Sequence, residues 1–142
     1  MADLDKLIEV NQYKSDGYKP LVDYESWRVA VLNYCEELLP VNIDKMQKHA
    51  ETDEVFVLLK GRCILFLAEG EQEIGAIHAQ DMEPLKVYNI KKSVWHTHTL
   101  SEDAVVLIVE NRDTDLDNSP EKNLSQEQQK KLEKLTKLKW DQ

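Results

Sequence analysis

Short apolar segments, separated by turn-forming residues, fill the middle of the chain and constrain its fold more than any other feature. They are rich in β-branched and aromatic residues, which favour strands. Closely spaced short strands are typical of a sandwich or barrel, so we predict an all-β fold. The predicted strands are residues 27–34, 54–59, 62–68, 73–78, 86–90, 94–100 and 104–110.

Two glycine-containing turns separate the early strands. Gly61 follows Lys60 between residues 54–59 and 62–68, and Gly70 comes after the second of these segments. Glycine adopts the positive φ of a tight turn at little steric cost. We therefore expect residues 54–59 and 62–68 to pair as a hairpin.

The two ends of the chain differ from this strand-rich middle. Residues 4–10 are predicted to form a short amphipathic helix and residues 15–20 a loop. Near the C-terminus, Ser125 and Gln128 have the spacing of a capping box. Residues 125–140 are therefore predicted to form an α-helix that packs on its own domain or on a sister subunit. The apolar positions of this helix are Leu132, Leu135 and Leu138.

Composition limits the partners of the chain. The 142 residues suffice for one domain, 1–142, with a barrel over about residues 21–112. The net charge of −9 disfavours nucleic acids and anionic membranes, which need a basic face. We expect no leader peptide, and the longest apolar run, 104–109, is too short to cross a bilayer. Cys35 and Cys63 have no CxxC spacing, so we predict reduced thiols in a cytoplasmic protein.

Some predicted strands carry apolar residues on both faces, for example residues 27–34 and 104–110. The core of a small barrel covers only the inner face of each strand. The outer faces are therefore expected to meet a sister sheet or the C-terminal helix. We predict a homodimer.

Three of the four histidines fall in two short stretches, one of which also carries a carboxylate. His49 comes five residues before Glu54, and His96 and His98 lie two residues apart in a later strand. Alternate residues of a strand share a face, so His98 should point the same way as His96, and Gln47 the same way as His49. Imidazoles and a carboxylate from separate strands commonly form a divalent-metal site, and the ion here could be Zn, Fe, Mn, Ni or Co. We expect a small-molecule substrate to bind beside that ion.

The first of these stretches resembles a motif of the cupin superfamily. That motif runs G-x5-H-x-H-x(3,4)-E-x6-G. His49, Glu54 and Gly61 fit its second half without a gap. Gln47 stands at its first histidine, and the opening glycine is absent.

The second stretch is similar to the other cupin motif, G-x5-P-x-G-x2-H-x3-N, with His96 at its histidine. Together the two motifs span roughly residues 41–110. The resemblance implies a cupin-type jelly-roll barrel in which His49, Glu54 and His96 bind a metal. Other residues stand where proline, glycine and asparagine are usual, and these are Lys91, Ser93 and Leu100.

The missing first histidine leaves one coordination position without its usual ligand. His98 is expected to act as the catalytic base or as a fourth ligand. The amide oxygen of Gln47 could also fill the position, but carboxamides bind soft divalent ions poorly. We therefore predict that Gln47 binds substrate. The alternative is a degenerate site in which these groups only form hydrogen bonds inside the barrel.

Within the superfamily, several segments look like those of ureidoglycolate lyases, which split ureidoglycolate into glyoxylate and urea. Glu54 departs from that pattern, because a glutamine is expected there. The segments concerned are residues 46–49, 56, 59–61, 87–88, 94–96 and 109–112.

The resemblance implies a small metal-dependent enzyme that acts on a small polar, oxygen-rich substrate. A lyase is the most specific version, followed by a sugar isomerase or epimerase, and a dioxygenase is a further alternative. The competing hypothesis is a non-catalytic sensor or ligand-binding protein. Arg28, Arg62 and Arg112 are expected at the surface, although one that faced inward could bind a substrate carboxylate.

Overall fold

The structure, a computed structural model, describes residues 3–141, which form ten strands and one α-helix. Two short 3₁₀ helices lie at Leu4–Lys6 and Glu36–Leu38. The α-helix, α1, is Gln126–Trp140. The strands are β1 (Gly17–Tyr24), β2 (Trp27–Asn33), β3 (Lys45–Gln47), β4 (Glu54–Lys60), β5 (Cys63–Ala68), β6 (Ile77–Asp81), β7 (Val87–Ile90), β8 (Trp95–Leu100), β9 (Val105–Asn111) and β10 (Glu121–Asn123).

These strands form two five-stranded sheets that enclose a shared core. The first sheet has the order β1-β2-β9-β4-β7, and the second has the order β10-β3-β8-β5-β6. Neighbouring strands run antiparallel in both sheets. The prediction of an all-β barrel with a C-terminal helix is confirmed.

Alternation along the strands places apolar side chains between the sheets. On β4, Phe56 and Leu58 are buried, whereas Val57 between them is half-exposed. On β9, Val106 and Ile108 are buried in the same way. This period of two fixes which residues face the barrel interior.

The C-terminal helix covers the outer face of the second sheet. Leu132 of α1 is fully buried in a cluster with Ile64 and Phe66 of β5. Oγ of Ser125 accepts from the backbone N–H of Gln128 at 3.1 Å, and Oε1 of Gln128 accepts from the backbone N–H of Ser125 at 2.8 Å. The predicted capping box is confirmed, and the helix packs on its own domain.

The predicted hairpin across Gly61 is wrong. β4 pairs with β7 and β9 in the first sheet, whereas β5 pairs with β6 and β8 in the second. Gly61 does have a positive φ of +75°, and a Cβ there would lie 2.6 Å from Cα of Ala104. The turn therefore carries the chain from one sheet to the other. A glycine at positive φ is compatible both with a hairpin and with a connection between two sheets. The pairing of each strand with distant strands decides which of the two forms.

The barrel extends beyond the predicted strands at both ends. β1 begins at Gly17, inside residues predicted as loop, and β10 pairs with β3 in a segment for which no strand was predicted. Nδ2 of Asn33 donates to the carbonyl oxygens of Tyr13 at 3.1 Å and Ser15 at 2.8 Å, which fixes the approach to β1. The predicted N-terminal helix is reduced to the 3₁₀ turn at Leu4–Lys6. β6 starts at Ile77, later than predicted.

The outer face of the first sheet is an apolar surface that we call the valine face. Its side chains come from three adjacent strands and are half-exposed, so they retain contact with solvent. The C-terminal helix packs on the other sheet, and the homodimer remains a prediction. The residues of the valine face are Val29, Val31, Val55, Val57, Val105, Leu107 and Val109.

Two predictions from composition concern the thiols and the membrane. Cys35 and Cys63 are both free, as predicted. Within residues 3–141, no helix combines the length and the apolar character that a bilayer crossing requires.

Candidate metal centre

Three buried side chains from both sheets meet at one end of the barrel interior. Glu54 is the first residue of β4, and His96 is the second residue of β8. His49 lies between β3 and β4. Their exposed fractions are 6% for His49, 6% for Glu54 and 4% for His96. The structure thus brings together the three residues that the sequence predicts as metal ligands.

One carboxylate oxygen contacts both imidazoles. Oε1 of Glu54 lies 3.1 Å from Nε2 of His49 and 3.0 Å from Nε2 of His96. All three potential ligand atoms lie within 4.8 Å of one another. Two ligand atoms bound to one ion at about 2.1 Å and at a right angle are about 3.0 Å apart. The spacing therefore suits a shared metal ion.

The outer nitrogen of each imidazole is held by a hydrogen bond. Nδ1 of His96 lies 2.9 Å from the carbonyl oxygen of Val94, and it must donate because a carbonyl only accepts. Nδ1 of His49 lies 2.7 Å from Oγ of Ser119, whose hydroxyl donates to Oδ1 of Asn118 at 3.1 Å and so accepts from the imidazole. In the neutral rings both Nε2 atoms then carry a lone pair. Contacts of this kind orient histidine ligands in metal sites.

Two nitrogen lone pairs and a carboxylate oxygen thus converge in a buried place. Acceptors this close repel one another unless positive charge joins them, either as protons on the imidazoles or as a metal ion. Nitrogen and oxygen donors suit Zn, Fe, Mn, Ni and Co. The donor set fits a divalent ion, and His49, Glu54 and His96 could hold it.

A second carboxyl group adjoins this cluster. Glu110 of β9 is 7% exposed, and Oη of Tyr18 donates to its Oε1 at 2.5 Å. Val55 of β4 is paired with Val109 of β9, which places Glu110 beside Glu54 on the inner face of the two strands. Burial and the neighbouring Glu54 raise the pKa of Glu110 to about 8. Burial also acts to raise the pKa of Glu54, but its contacts with the two imidazoles and Glu110 outweigh burial and hold that pKa below its usual range. Near neutral pH the pair therefore consists of one carboxylate and one carboxylic acid.

His98 lies on the same face of β8 as His96, outside the three-residue cluster. Its ring centroid is 5.5 Å from that of Phe56, and its Nδ1 has no hydrogen-bond partner among the described residues. Burial lowers the pKa of His98 to about 4, against the opposing attraction of Glu54. The imidazole is therefore neutral near pH 7 and able to accept a proton. Its role as base or fourth ligand remains a prediction.

The cluster lies in a cavity of about 790 Å³. Gln47 lines this cavity and is paired with His96 between β3 and β8. Acidic side chains outnumber basic ones in the lining. The acidic residues are Glu36, Glu37, Asp44, Glu54, Glu110 and Glu121, and the basic residues are Arg28 and Lys45.

The expectation that the three arginines lie at the surface is wrong for Arg28. It lines the cavity from β2, opposite Glu110 on β9, and its Nε and Nη2 donate to Asp23 at 2.7 and 3.3 Å. The side chains of Arg62 and Arg112 are 48% and 51% exposed, as expected. Because β2 has apolar residues on both faces, the sequence pattern does not indicate which face carries Arg28.

Three further polar groups of the site escaped sequence reasoning. Glu110 could have been found, because it continues the inward positions of Val106 and Ile108 along β9. Tyr18 lies in a segment predicted as loop, and Ser119 lies in a polar stretch without a motif. These two carry no signal in a single sequence.

Comparisons with known proteins bear on the fold. No protein-family model and no curated protein matches the sequence. Among solved structures, Pac13 from Streptomyces, described as a nucleoside dehydratase, is 7% identical over 80% of this chain and 83% of its own, with a TM-score of 0.52. CapF is 14% identical over 76% of this chain and 32% of its own, with a TM-score of 0.54. A cupin-2 domain protein from Shewanella frigidimarina is 22% identical over 77% of this chain and 91% of its own, with a TM-score of 0.45.

Pac13 and CapF match this chain over most of its length. The chain has a cupin fold. The superfamily resemblance of the two histidine motifs is thereby confirmed at the level of fold. The narrower likeness to ureidoglycolate lyases is untested by these structures. A fold does not fix an activity, so the function of this chain depends on the groups that its own cavity presents.

Proposed function

We propose that this cupin is a metal-dependent enzyme that acts on a small polar, oxygen-rich molecule. The observation that supports the proposal best is the convergence of three potential ligand atoms within 4.8 Å, with Oε1 of Glu54 about 3 Å from both Nε2 atoms, in the wall of a large cavity. With both rings neutral, two lone pairs directed at one carboxylate oxygen repel it, and a divalent ion bound between them would remove that repulsion.

The side chains would divide the work as follows. His49, Glu54 and His96 would hold the ion, with Ser119 and the backbone of Val94 fixing the two rings. A bound divalent ion polarises a substrate hydroxyl or carbonyl and stabilises the negative charge that develops there.

Proton transfer would fall to His98, which burial keeps neutral. Gln47 lies next to His96 and would hydrogen-bond the substrate through its carboxamide. In a lyase of the ureidoglycolate type, the base removes the hydroxyl proton, a carbonyl forms at that carbon, and the C–N bond breaks. The nitrogen leaves as urea after it has gained a proton. An isomerase or epimerase would use the same proton acceptor.

The charge of the cavity favours a substrate that is neutral or cationic. Both basic residues of the lining are already paired, Arg28 with Asp23 at 2.7 Å and Lys45 with Glu121 at 3.4 Å. A free carboxylate would meet repulsion from the acidic lining except at the metal. Uridine, present in structures of Pac13, is an uncharged, oxygen-rich molecule of the favoured kind. Ureidoglycolate carries a carboxylate, so it would have to bind the metal or displace Asp23 from Arg28.

Metal analysis of the purified protein, followed by melting with and without EDTA, tests the proposal. We expect a divalent ion to be retained, or to raise the melting temperature when added, and EDTA to reverse the rise. Identical melting curves with Zn, Mn, Fe, Ni and Co, with no ion retained, would remove the metal from the proposal. A panel of neutral polyols, nucleosides and ureido acids then separates enzyme from binder, because a binder is stabilised without turnover.

We further propose that the protein is a homodimer in the cytoplasm. The valine face supports the dimer, since it forms a continuous, half-exposed apolar surface across three strands. Free cysteines are consistent with a reducing compartment.

A further inference from the structure

Glu110 is the buried carboxyl group that the metal cluster leaves out. It lies on the inner face of β9, whereas the three potential ligands come from β4, β8 and the loop before β4. The pairing of Val55 with Val109 places Glu110 next to Glu54 across the two strands, and both glutamates line the cavity. The carboxyl group of Glu110 accepts from Tyr18 at 2.5 Å. That distance is typical of a strong O–H···O hydrogen bond to a carboxyl oxygen.

Tyr18 lines the cavity together with Arg28. Arg28 is fixed by two hydrogen bonds to Asp23 at 2.7 and 3.3 Å. Polar side chains therefore follow one another from Asp23, which is exposed, to Glu54 in the buried cluster. The hydrogen bond from Tyr18 restricts the rotation of the Glu110 side chain.

The orientation of Glu54 decides whether the cluster can form. Only Oε1 of its carboxylate contacts both imidazoles, so a rotation of this group would remove two contacts at once. Besides the two imidazoles, Glu54 has a further polar neighbour, Glu110. We propose that Glu110, anchored by Tyr18, is a positioning residue that fixes the carboxylate of Glu54 and thereby sets the affinity of the site for its metal. This inference rests on the proposed metal function.

Two substitutions at Glu110 separate positioning from direct ligation. Glu110→Gln keeps the size of the side chain and an acceptor for Tyr18, and its amide can donate to Glu54, whereas Glu110→Ala removes these groups. Titration with Co²⁺ against a competing chelator gives the affinity, and the visible absorption of bound Co²⁺ reports the ligand set. We expect Glu110→Ala to lose about 10- to 100-fold in affinity, as is usual for residues that support metal ligands. Glu110→Gln should stay within a few-fold of the wild type, and both variants should give the wild-type spectrum at saturation.

Tyr18→Phe provides a milder test that leaves both carboxyl groups in place. It should weaken Co²⁺ binding by several-fold, and it guards against a failure of Glu110→Ala to fold. Glu102→Gln, in the exposed turn before β9, is the matched control and should bind Co²⁺ like the wild type. Circular dichroism and melting in EDTA check that each variant is folded.

Each other outcome has a distinct meaning. Wild-type affinity in both folded Glu110→Ala and Tyr18→Phe would overturn the inference while leaving the metal site intact. An altered spectrum in Glu110→Gln, with a loss as large as that of Glu110→Ala, would also overturn it, since Glu110 would then be a ligand. If the wild-type protein itself bound no Co²⁺, the proposed function would fail first.

Discussion

Gln47 on β3 and His96 on β8 are paired across the two strands, and both side chains line the cavity. The residue at the position of the first cupin histidine is therefore next to a potential metal ligand. A histidine at position 47 would have its imidazole beside the cluster formed by His49, Glu54 and His96.

Gln47→His is accordingly expected to add a fourth ligand and to raise the affinity for Zn²⁺ or Co²⁺ by about tenfold or more. Chelator competition measures the change. Gln47→Ala is the control and should leave the affinity within a few-fold, because a carboxamide is a weak ligand for these ions. Equal affinities in the wild type and Gln47→His would show that position 47 is not directed at the metal.

His96 and His98 should separate metal binding from catalysis. His96→Ala removes an Nε2 that lies 3.0 Å from Glu54, so it should abolish tight metal retention and activity together. His98→Ala should keep at least part of the metal affinity and lose turnover by roughly a hundredfold or more if His98 is the general base. Metal analysis and turnover with the first active substrate check both variants. Equal loss of metal from the two would instead make His98 the fourth ligand.

Acid should destabilise the metal-free protein partly through His98. Its pKa falls from 6.5 to about 4 on folding, so between these values the unfolded chain binds more protons than the folded one. Stability is then lost as the pH falls from about 6.5 towards 4, by at most about 3 kcal/mol from this residue. Urea unfolding in EDTA at pH 7.5 and pH 5 measures the loss. His98→Gln, which does not titrate, should show a smaller difference between the two pH values, and an unchanged difference would contradict the assignment.

Alanine substitutions at Gly61 and Gly17 can be compared to measure how much stability is lost when a side chain is added at a positive φ. Both have φ near the left-handed region, at +75° and +88°, but a Cβ at Gly61 would meet Ala104 at 2.6 Å whereas one at Gly17 meets nothing within 4 Å. Gly17→Ala should cost about 1 kcal/mol of unfolding free energy, from backbone strain alone. Gly61→Ala should cost about 2 kcal/mol or more, because the clash adds to the strain. Chemical denaturation compares them, and equal costs would mean that the crossing turn relaxes freely.

The dimer can be tested at the centre of the valine face. Leu107 pairs with Val31 on one side and Val57 on the other. Leu107→Glu places a charge in this apolar surface and should convert a dimer into a monomer. Light scattering at several concentrations gives the mass. Leu116→Glu, at a residue that is 70% exposed in a loop, is the control. A wild-type protein that is monomeric at every concentration refutes the dimer.

Strand periodicity accounts for most of what the sequence predicted correctly. Parity along β4 and β8 placed Glu54 and His96 inside the barrel, and the same rule applied to β9 would have placed Glu110 beside them. Parity failed for Arg28, because apolar residues on both faces of β2 make its two sides look alike. Gly61 shows a different limit, since pairing between distant strands decides whether the chain turns back or crosses over. Ser119 reaches His49 from 70 positions away, a contact that no local pattern encodes.

The origin of the ligands in two different sheets has a consequence for how the protein matures. Glu54 and His96 are 42 positions apart and belong to opposite layers, so their side chains meet only after the layers have docked. An ion bound there would link the two sheets, and it could bind only late in folding. Chains that had formed each layer separately would hold metal no better than unfolded ones. The number of metal ions per chain in a preparation would then measure the fraction of molecules in which the two sheets have packed correctly.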